Sequence, residues 1–141
     1  MTPGFSRLSV RGYRRLRKVD LALKSLNVLI GGNGVGKSSV LDIFGLLAAS
    51  ADGNLQRTIP ELGGMQSLLT ADGKTTVIGL QLRTGDSEKL GLGYDIRLAS
   101  QGYGYVVADE VLEDVGNPPP SDPIRYIDSS EPRIGYWHST V

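Results

Sequence analysis

The pattern of apolar and polar positions over the first thirty residues predicts three strands. Residues 5–12 mix apolar side chains with two arginines, which is typical of an edge strand. Residues 19–23 alternate large apolar residues with smaller or polar ones, which predicts a half-buried strand. Residues 26–30 are almost all apolar, as in a strand covered on both faces.

The chain that follows predicts helices. The large apolar residues between Lys37 and Ala49 are distributed almost all round a helix axis, so this helix is expected to be buried. The glycine pair Gly63-Gly64 breaks the pattern, and a short helical turn is predicted from Met65 to Leu69.

Beyond Asp72 the apolar period becomes that of strands, and it predicts an antiparallel meander of at least three strands. The three stripes are Ile78, Leu80 and Leu82; Leu90, Leu92, Tyr94, Ile96 and Leu98; and Tyr103, Tyr105 and Val107. Two more short strands are predicted at 124–128 and 133–138, after an irregular proline-rich connection at 117–123. We therefore expect one domain, with an α/β part over residues 1–70 and an antiparallel part over residues 71–141.

A glycine-rich loop connects the third predicted strand to the helix. Gly31, four further residues, Gly36, Lys37 and Ser38 satisfy the P-loop pattern in a strand, loop and helix context. Glycines let backbone N–H groups turn inward around phosphate oxygens, and the helix N-terminus adds a positive dipole end. The predicted nucleotide-binding residues are Gly31, Gly32, Asn33, Gly34, Val35, Gly36, Lys37, Ser38 and Ser39.

Two side chains of this loop carry predicted chemical roles. Lys37 is expected to neutralise the β- and γ-phosphates, which makes it the predicted catalytic residue. The Ser38 hydroxyl is expected to hold a Mg²⁺ ion that bridges those phosphates, whereas Ser39 lies one place further into the helix. ATP and Mg²⁺ are thus the predicted cofactors.

The amino-acid composition limits the binding partners and the cellular compartment that we expect for the protein. The 141 residues contain 15 Lys plus Arg and 15 Asp plus Glu, so no global charge attracts nucleic acid or a membrane. The sequence has no cysteine, which suits a reducing compartment, and no apolar run long enough for a membrane span. We expect a soluble cytoplasmic protein without a membrane partner.

The segments 8–16 and 29–42 together resemble the N-terminal nucleotide-binding lobe of ABC-class ATPases of the SMC, RecF and OLD-like group. That group includes AAA-family ATP-binding proteins of DNA repair, chromosome maintenance and phage defence. Asn33 and Gly34 match the distinguishing positions of its GxNGxGKS loop. The resemblance implies an α/β P-loop NTPase lobe with an antiparallel β-subdomain that binds Mg-ATP.

The resemblance also implies roles for residues near the loop. Asn33 would approach the γ-phosphate, and Tyr13 with Arg14 or Arg15 would lie near the nucleotide. The alternative is that Tyr13 packs on the sheet and the arginines form a solvated turn. In the complete protein, the resemblance implies a homodimer whose ATP hydrolysis acts on DNA or an effector protein. The basic segment 12–18 could itself contact DNA phosphates, although it is short.

The sequence departs from this group in two respects. It contains no Ser-Gly-Gly signature and no convincing acidic strand, so ATP hydrolysis by this chain alone is left open, and we expect an N-terminal piece of a larger ATPase. One alternative is a self-contained small NTPase in which Asp109 holds Mg²⁺, Glu110 is the general base and His138 senses the γ-phosphate. A second alternative is a non-catalytic interaction lobe. Without catalysis, Asp109 and Glu110 are predicted to lie at the solvated end of a meander strand.

Overall fold

The computed structural model describes residues 4–85, 91–116, 121, 124–129 and 133–134, which form an antiparallel sheet with helices packed on one face. The strands are β1 Phe5–Tyr13, β2 Leu16–Ala22, β3 Val77–Thr84, β4 Gly91–Gln101, β5 Gly104–Val115, β6 Arg125–Ser129 and β7 Arg133–Ile134. The helices are α1 Lys37–Ala51, α2 Leu55–Glu61 and α3 Met65–Leu68. The strand order is β2-β1-β3-β4-β5-β6, and β7 also pairs with β5.

Strand β1 lies inside the sheet, so its prediction as an edge strand is wrong. It pairs with β2 on one side and with β3 on the other, and β2 is the edge. Leu8 and Val10 are buried, while Ser9 and Arg11 point to the opposite face. The alternation of apolar and polar residues indicates which face of a strand is buried. It does not indicate whether the strand has hydrogen-bonded neighbours on one side or on both.

The predicted meander is confirmed by β3, β4 and β5, which pair in sequence. Ile78, Leu80, Ile96 and Leu98 are buried in the core as expected. Tyr103 is fully exposed because it lies in the β4–β5 turn after Gly102, whose φ is 57°, and it therefore does not extend the stripe of β5. The two later strands are present as β6 and β7; Leu90, most of the 117–123 connection and residues 135–138 lie outside the described residues.

Helix α1 has the predicted position but is not buried all round. Ile43, Leu46 and Leu47 pack in the core, whereas Leu41 is 68% exposed on the opposite side of the helix, next to exposed Gly45. The exposed side is thus apolar.

The strand predicted at residues 26–30 does not form. These residues have no strand pairing, and Leu26 and Ile30 are 79% and 92% exposed. A strand covered on both faces needs hydrogen-bonded neighbours, and none of the described strands pairs with this segment.

Helix α2 was not predicted, because it is short and presents only Leu55 and Ile59 to the core. The turn predicted at 65–69 is confirmed as α3. The core lies between the three helices and the inner face of the sheet. Among the described residues, no helix has the length and apolar character needed to cross a membrane.

Candidate nucleotide-binding site

The glycine-rich loop lies on the surface and leads directly into α1. Residues 31–35 are exposed, and the helix begins at Lys37. Gly34 has a φ of 79° and Gly36, the N-cap residue, has a φ of 112°. Only glycine adopts such angles without strain, so these two positions depend on the glycines that the P-loop pattern supplies.

The N-terminus of α1 has no side-chain cap. Within the described part of the chain, the backbone amides of Lys37, Ser38 and Ser39 donate no hydrogen bond. Orphan amides at a helix N-terminus carry partial positive charge, which the helix dipole increases. The loop therefore ends at a group of donors suited to an anion with several oxygens.

The Ser38 side chain faces solvent, whereas Lys37 is half-buried and Ser39 is buried. The Lys37 ammonium donates a hydrogen bond to the carbonyl oxygen of Gly31, so it connects the two ends of the loop. The Ser38 side chain is exposed, whereas Ser39 is only 8% exposed. Ser38 is accordingly the hydroxyl that can reach a phosphate-bound metal ion. Elsewhere in the described residues, no three His, Asp or Glu side chains converge to hold a metal ion.

The loop packs on the hairpin formed by β1 and β2. A Cβ atom at Gly36 would lie 3.0 Å from Cδ2 of Leu16, which is buried. Leu16 thus packs next to the last residue of the loop. The sequence did not predict this role, because a single leucine after three basic or aromatic residues forms no distinctive pattern.

Tyr13 and Arg14 are engaged within the protein. The Tyr13 side chain has no exposed surface, and its burial raises the pKa of its hydroxyl to about 12. Arg14 donates to the Asp42 carboxylate at 2.9 Å and to the Leu62 carbonyl oxygen at 3.0 Å. These contacts favour the alternative in which Tyr13 packs on the sheet, and they make Arg14 a link between the hairpin, α1 and the end of α2. Arg15 is exposed at the turn.

Glu110 lies far from the loop. Its carboxylate accepts a hydrogen bond from the Tyr94 hydroxyl at 2.7 Å, and that hydroxyl lies 2.6 Å from Oγ of Ser50. Ser50 is near the C-terminal end of α1, and Lys37 is its first residue. At about 1.5 Å per helical residue, the two ends are roughly 20 Å apart.

The prediction that Asp109 and Glu110 end a strand is wrong. β5 continues to Val115, and a register shift at Ala108 pairs Arg97 with Asp109 and Leu98 with Val107. The shift turns Glu110 into the core, where it is 6% exposed, and places Asp109 on the outer face of the sheet. The structure therefore brings neither carboxylate to the glycine-rich loop. His138 lies outside the described residues.

In nucleotide-binding proteins, phosphate groups are commonly bound by a glycine-rich loop that leads into a helix N-terminus, and residues 31–39 have this arrangement. The family model of the AAA ATPase domain matches residues 5–107, and the chain belongs to this family. The match covers the loop, the three helices and the sheet as far as the first part of β5.

The chain is also similar to bacterial proteins named DNA replication and repair protein RecF. It is 34% identical over 89 residues to the one from Pseudarthrobacter chlorophenolicus, with 58% of this chain and 22% of that protein covered. It is 34% identical over 91 residues to the one from Pseudomonas savastanoi, with 64% of this chain and 23% of that protein covered. The chain thus spans less than a quarter of the length of these relatives. The resemblance to the SMC, RecF and OLD-like ATPases is confirmed.

Proposed function

We propose that the chain binds Mg-ATP at residues 31–39 and serves as the nucleotide-binding lobe of an ATPase that acts in DNA repair or chromosome maintenance. The observation that carries the proposal is the uncapped N-terminus of α1 behind Gly34 and Gly36. Membership of the AAA ATPase domain family and the similarity to RecF proteins support it. Location in the cytoplasm stays a prediction.

Each part of the loop contributes a different interaction with the phosphates. The amides of Lys37, Ser38 and Ser39 would donate to phosphate oxygens. The Lys37 ammonium would exchange the Gly31 carbonyl for the β- and γ-phosphates, a stronger, charge-assisted partner. Asn33, exposed in the loop, would approach the γ-phosphate.

Ser38 would hold the metal ion. Its exposed hydroxyl at the second position of α1 is a hard oxygen ligand, and Mg²⁺ prefers such ligands together with phosphate oxygens and water. When bound, Mg²⁺ neutralises part of the phosphate charge.

Hydrolysis is proposed to depend on residues beyond those that the structure describes, within a homodimer of the complete ATPase. The distance of roughly 20 Å between Glu110 and the loop disfavours the self-contained small NTPase. The exposed apolar residues of the 26–30 segment and Leu41 support a further layer of structure next to the loop.

Isothermal titration with Mg-ATP tests the proposal. Lys37→Ala is expected to weaken ATP binding roughly 10- to 100-fold, since a charge-assisted hydrogen bond contributes about 1.5–3 kcal/mol. Lys24→Ala is the matched control, because Lys24 is an exposed lysine beyond the end of β2. Equal affinities of the two variants, or no binding by the unmodified chain, would refute the proposed site.

A further inference from the structure

A single residue, Arg14, links the first hairpin to all three helices. Its guanidinium donates a hydrogen bond to the Asp42 carboxylate of α1 at 2.9 Å and another to the carbonyl oxygen of Leu62, at the end of α2, at 3.0 Å. Its backbone amide donates to the carbonyl oxygen of Leu68, the last residue of α3, at 2.7 Å. The guanidinium carbon also lies 5.5 Å from the centre of the buried Tyr13 ring, within the range of a cation–π contact.

The backbone of Arg14 has an unfavourable conformation. Among the described residues other than glycine, it alone has a positive φ, at 46°. Such a conformation is uncommon for a residue with a Cβ atom, and it persists only where the surrounding contacts enforce it. Glycine would avoid the strain but could form none of the guanidinium contacts. The arginine side chain therefore contributes something that the less strained residue would lack.

Asp42, the partner of Arg14, lies one helical turn behind Ser38. The two residues are four positions apart in α1, so their side chains lie on the same face of the helix, about 6 Å apart along its axis. Asp42 is also the only acidic residue of α1. Its negative charge opposes the helix dipole, which favours an anion at the N-terminus. An unpaired carboxylate at this position would therefore weaken the binding of phosphate groups by the loop.

We propose that Arg14 is a positioning residue for the nucleotide site, which acts through Asp42 and not by contact with the nucleotide. The ion pair neutralises the Asp42 charge and holds this carboxylate against the hairpin. The two terminal nitrogens of the guanidinium are both engaged within the protein, one by Asp42 and one by Leu62. The inference rests on the proposed function, because it concerns the affinity of that same site for Mg-ATP.

The charge of Asp42 has more effect on a nucleotide than on folding. The Arg14 and Asp42 side chains are 33% and 29% exposed, and ion pairs with such access to water contribute little to stability. Mg-ATP, however, carries a net negative charge. Two like charges about 10 Å apart, in an effective dielectric constant of about 20, repel each other enough to change an affinity roughly 10-fold.

Arg83 and Asp95 form a matched ion pair on the other side of the sheet. The two charged groups are 3.0 Å apart, and the side chains are 27% and 24% exposed, close to the values for Arg14 and Asp42. Ile96, the neighbour of Asp95 in β4, is buried against the helices, so Asp95 lies on the face that carries no helix. Arg83→Gln therefore removes a comparable ion pair away from the loop.

Isothermal titration of the 141-residue chain with Mg-ATP tests the inference. Arg14→Gln is expected to weaken ATP binding roughly 10-fold at about 0.1 M salt and by less at about 1 M salt, because salt screens the unpaired charge. The double variant Arg14→Gln/Asp42→Asn is expected to recover the affinity, since it removes that charge. Arg83→Gln is expected to bind ATP as the unmodified chain does. Thermal unfolding without ATP compares the stability of all variants.

Recovery in the double variant is the result that separates positioning from other roles. If Arg14 contacted the nucleotide or only supported the fold, the double variant would bind as weakly as Arg14→Gln, and that result would overturn the inference. Equal losses in Arg14→Gln and Arg83→Gln would overturn it too. Asp42→Asn alone keeps the arginine and is expected to bind ATP at least as tightly as the unmodified chain, so weaker binding by this variant, if it is as stable, would also overturn the inference.

The same titrations distinguish this inference from the proposed function. Absence of ATP binding by the unmodified chain, or binding that Lys37→Ala leaves unchanged, would refute the proposed function and this inference with it. Binding that Lys37→Ala weakens and Arg14→Gln leaves unchanged would overturn this inference alone.

Discussion

Leu16 lies close enough to Gly36 that a Cβ atom added at position 36 would be 3.0 Å from Cδ2 of Leu16. Leu16 begins β2, and Gly36 is the last residue before α1. The turn of the first hairpin and the candidate phosphate-binding loop are therefore packed as one unit. The φ of 112° at residue 36 favours glycine, and a Cβ atom there would also require the Leu16 side chain to move by a few tenths of an ångström.

Gly36→Ala is expected to destabilise the chain by about 1–3 kcal/mol, since alanine is strained at that backbone angle. ATP affinity is expected to fall as well, because the start of α1 must shift. Urea unfolding and titration with Mg-ATP measure the two effects.

Gly45→Ala is the matched control for this substitution. Gly45 lies on the exposed side of α1, and a Cβ atom there meets nothing within 4 Å. Alanine in a helix interior is favoured over glycine by about 0.5–1 kcal/mol, so this variant is expected to be more stable. Equal stability changes in the two variants would contradict the packing described for the loop.

Tyr94→Phe is expected to destabilise the chain by about 1–3 kcal/mol without changing ATP binding. The substitution removes the hydrogen bonds of the Tyr94 hydroxyl with Glu110 and Ser50. Both partners are buried, and loss of a hydrogen-bond partner by a buried polar group lowers the free energy of unfolding. Thermal unfolding and Mg-ATP titration of the same protein check both parts.

Glu110 belongs to the same hydrogen-bond network as Tyr94. The variant Glu110→Gln tests the alternative of a self-contained small NTPase. ATP affinity and phosphate release are expected to equal those of the unmodified chain, because Glu110 lies roughly 20 Å from Lys37. The opposite result would be phosphate release by the unmodified chain and none by an equally stable Glu110→Gln variant. That result would support the self-contained small NTPase.

Stability is expected to fall between about pH 10 and pH 12 because of Tyr13. Its pKa is raised from 10.0 to about 12 by burial, so the unfolded chain loses this proton at a lower pH than the folded chain. The stabilisation is complete below pH 10 and is lost as the pH rises to about 12. The loss amounts to about 1–3 kcal/mol.

The variant Tyr13→Phe keeps the buried ring and removes the titrating hydroxyl. Urea unfolding at increasing pH is expected to show a smaller loss of stability for this variant than for the unmodified chain. Identical pH profiles would show that Tyr13 does not titrate in this range.

The sequence predicted those features that depend on local chemistry. Helix α1 begins at Lys37. Gly36, which precedes it, has a left-handed backbone conformation, and a run of apolar residues follows it. The alternation in β3 and β4 predicted the buried residues Ile78, Leu80 and Ile96 because one face of an antiparallel sheet packs on the core.

Features that depend on pairing between distant segments were missed. The extra residue Ala108 in β5 inverts which of Asp109 and Glu110 is buried, and nothing in the local pattern marks such a bulge. The interior position of β1 follows from its pairing with β3, about seventy residues later. Residues 26–30 have the composition of a buried strand, but the described strands supply no neighbour for them.

The most direct test of the candidate site is the change in backbone amide chemical shifts when Mg-ATP is added to the ¹⁵N-labelled chain. The largest shifts are expected at Gly34, Gly36, Lys37 and Ser38, because phosphate oxygens would accept hydrogen bonds from the N-terminus of α1. Shifts confined to the Ser50 end of the helix, or saturable binding that leaves the loop amides unchanged, would contradict the account.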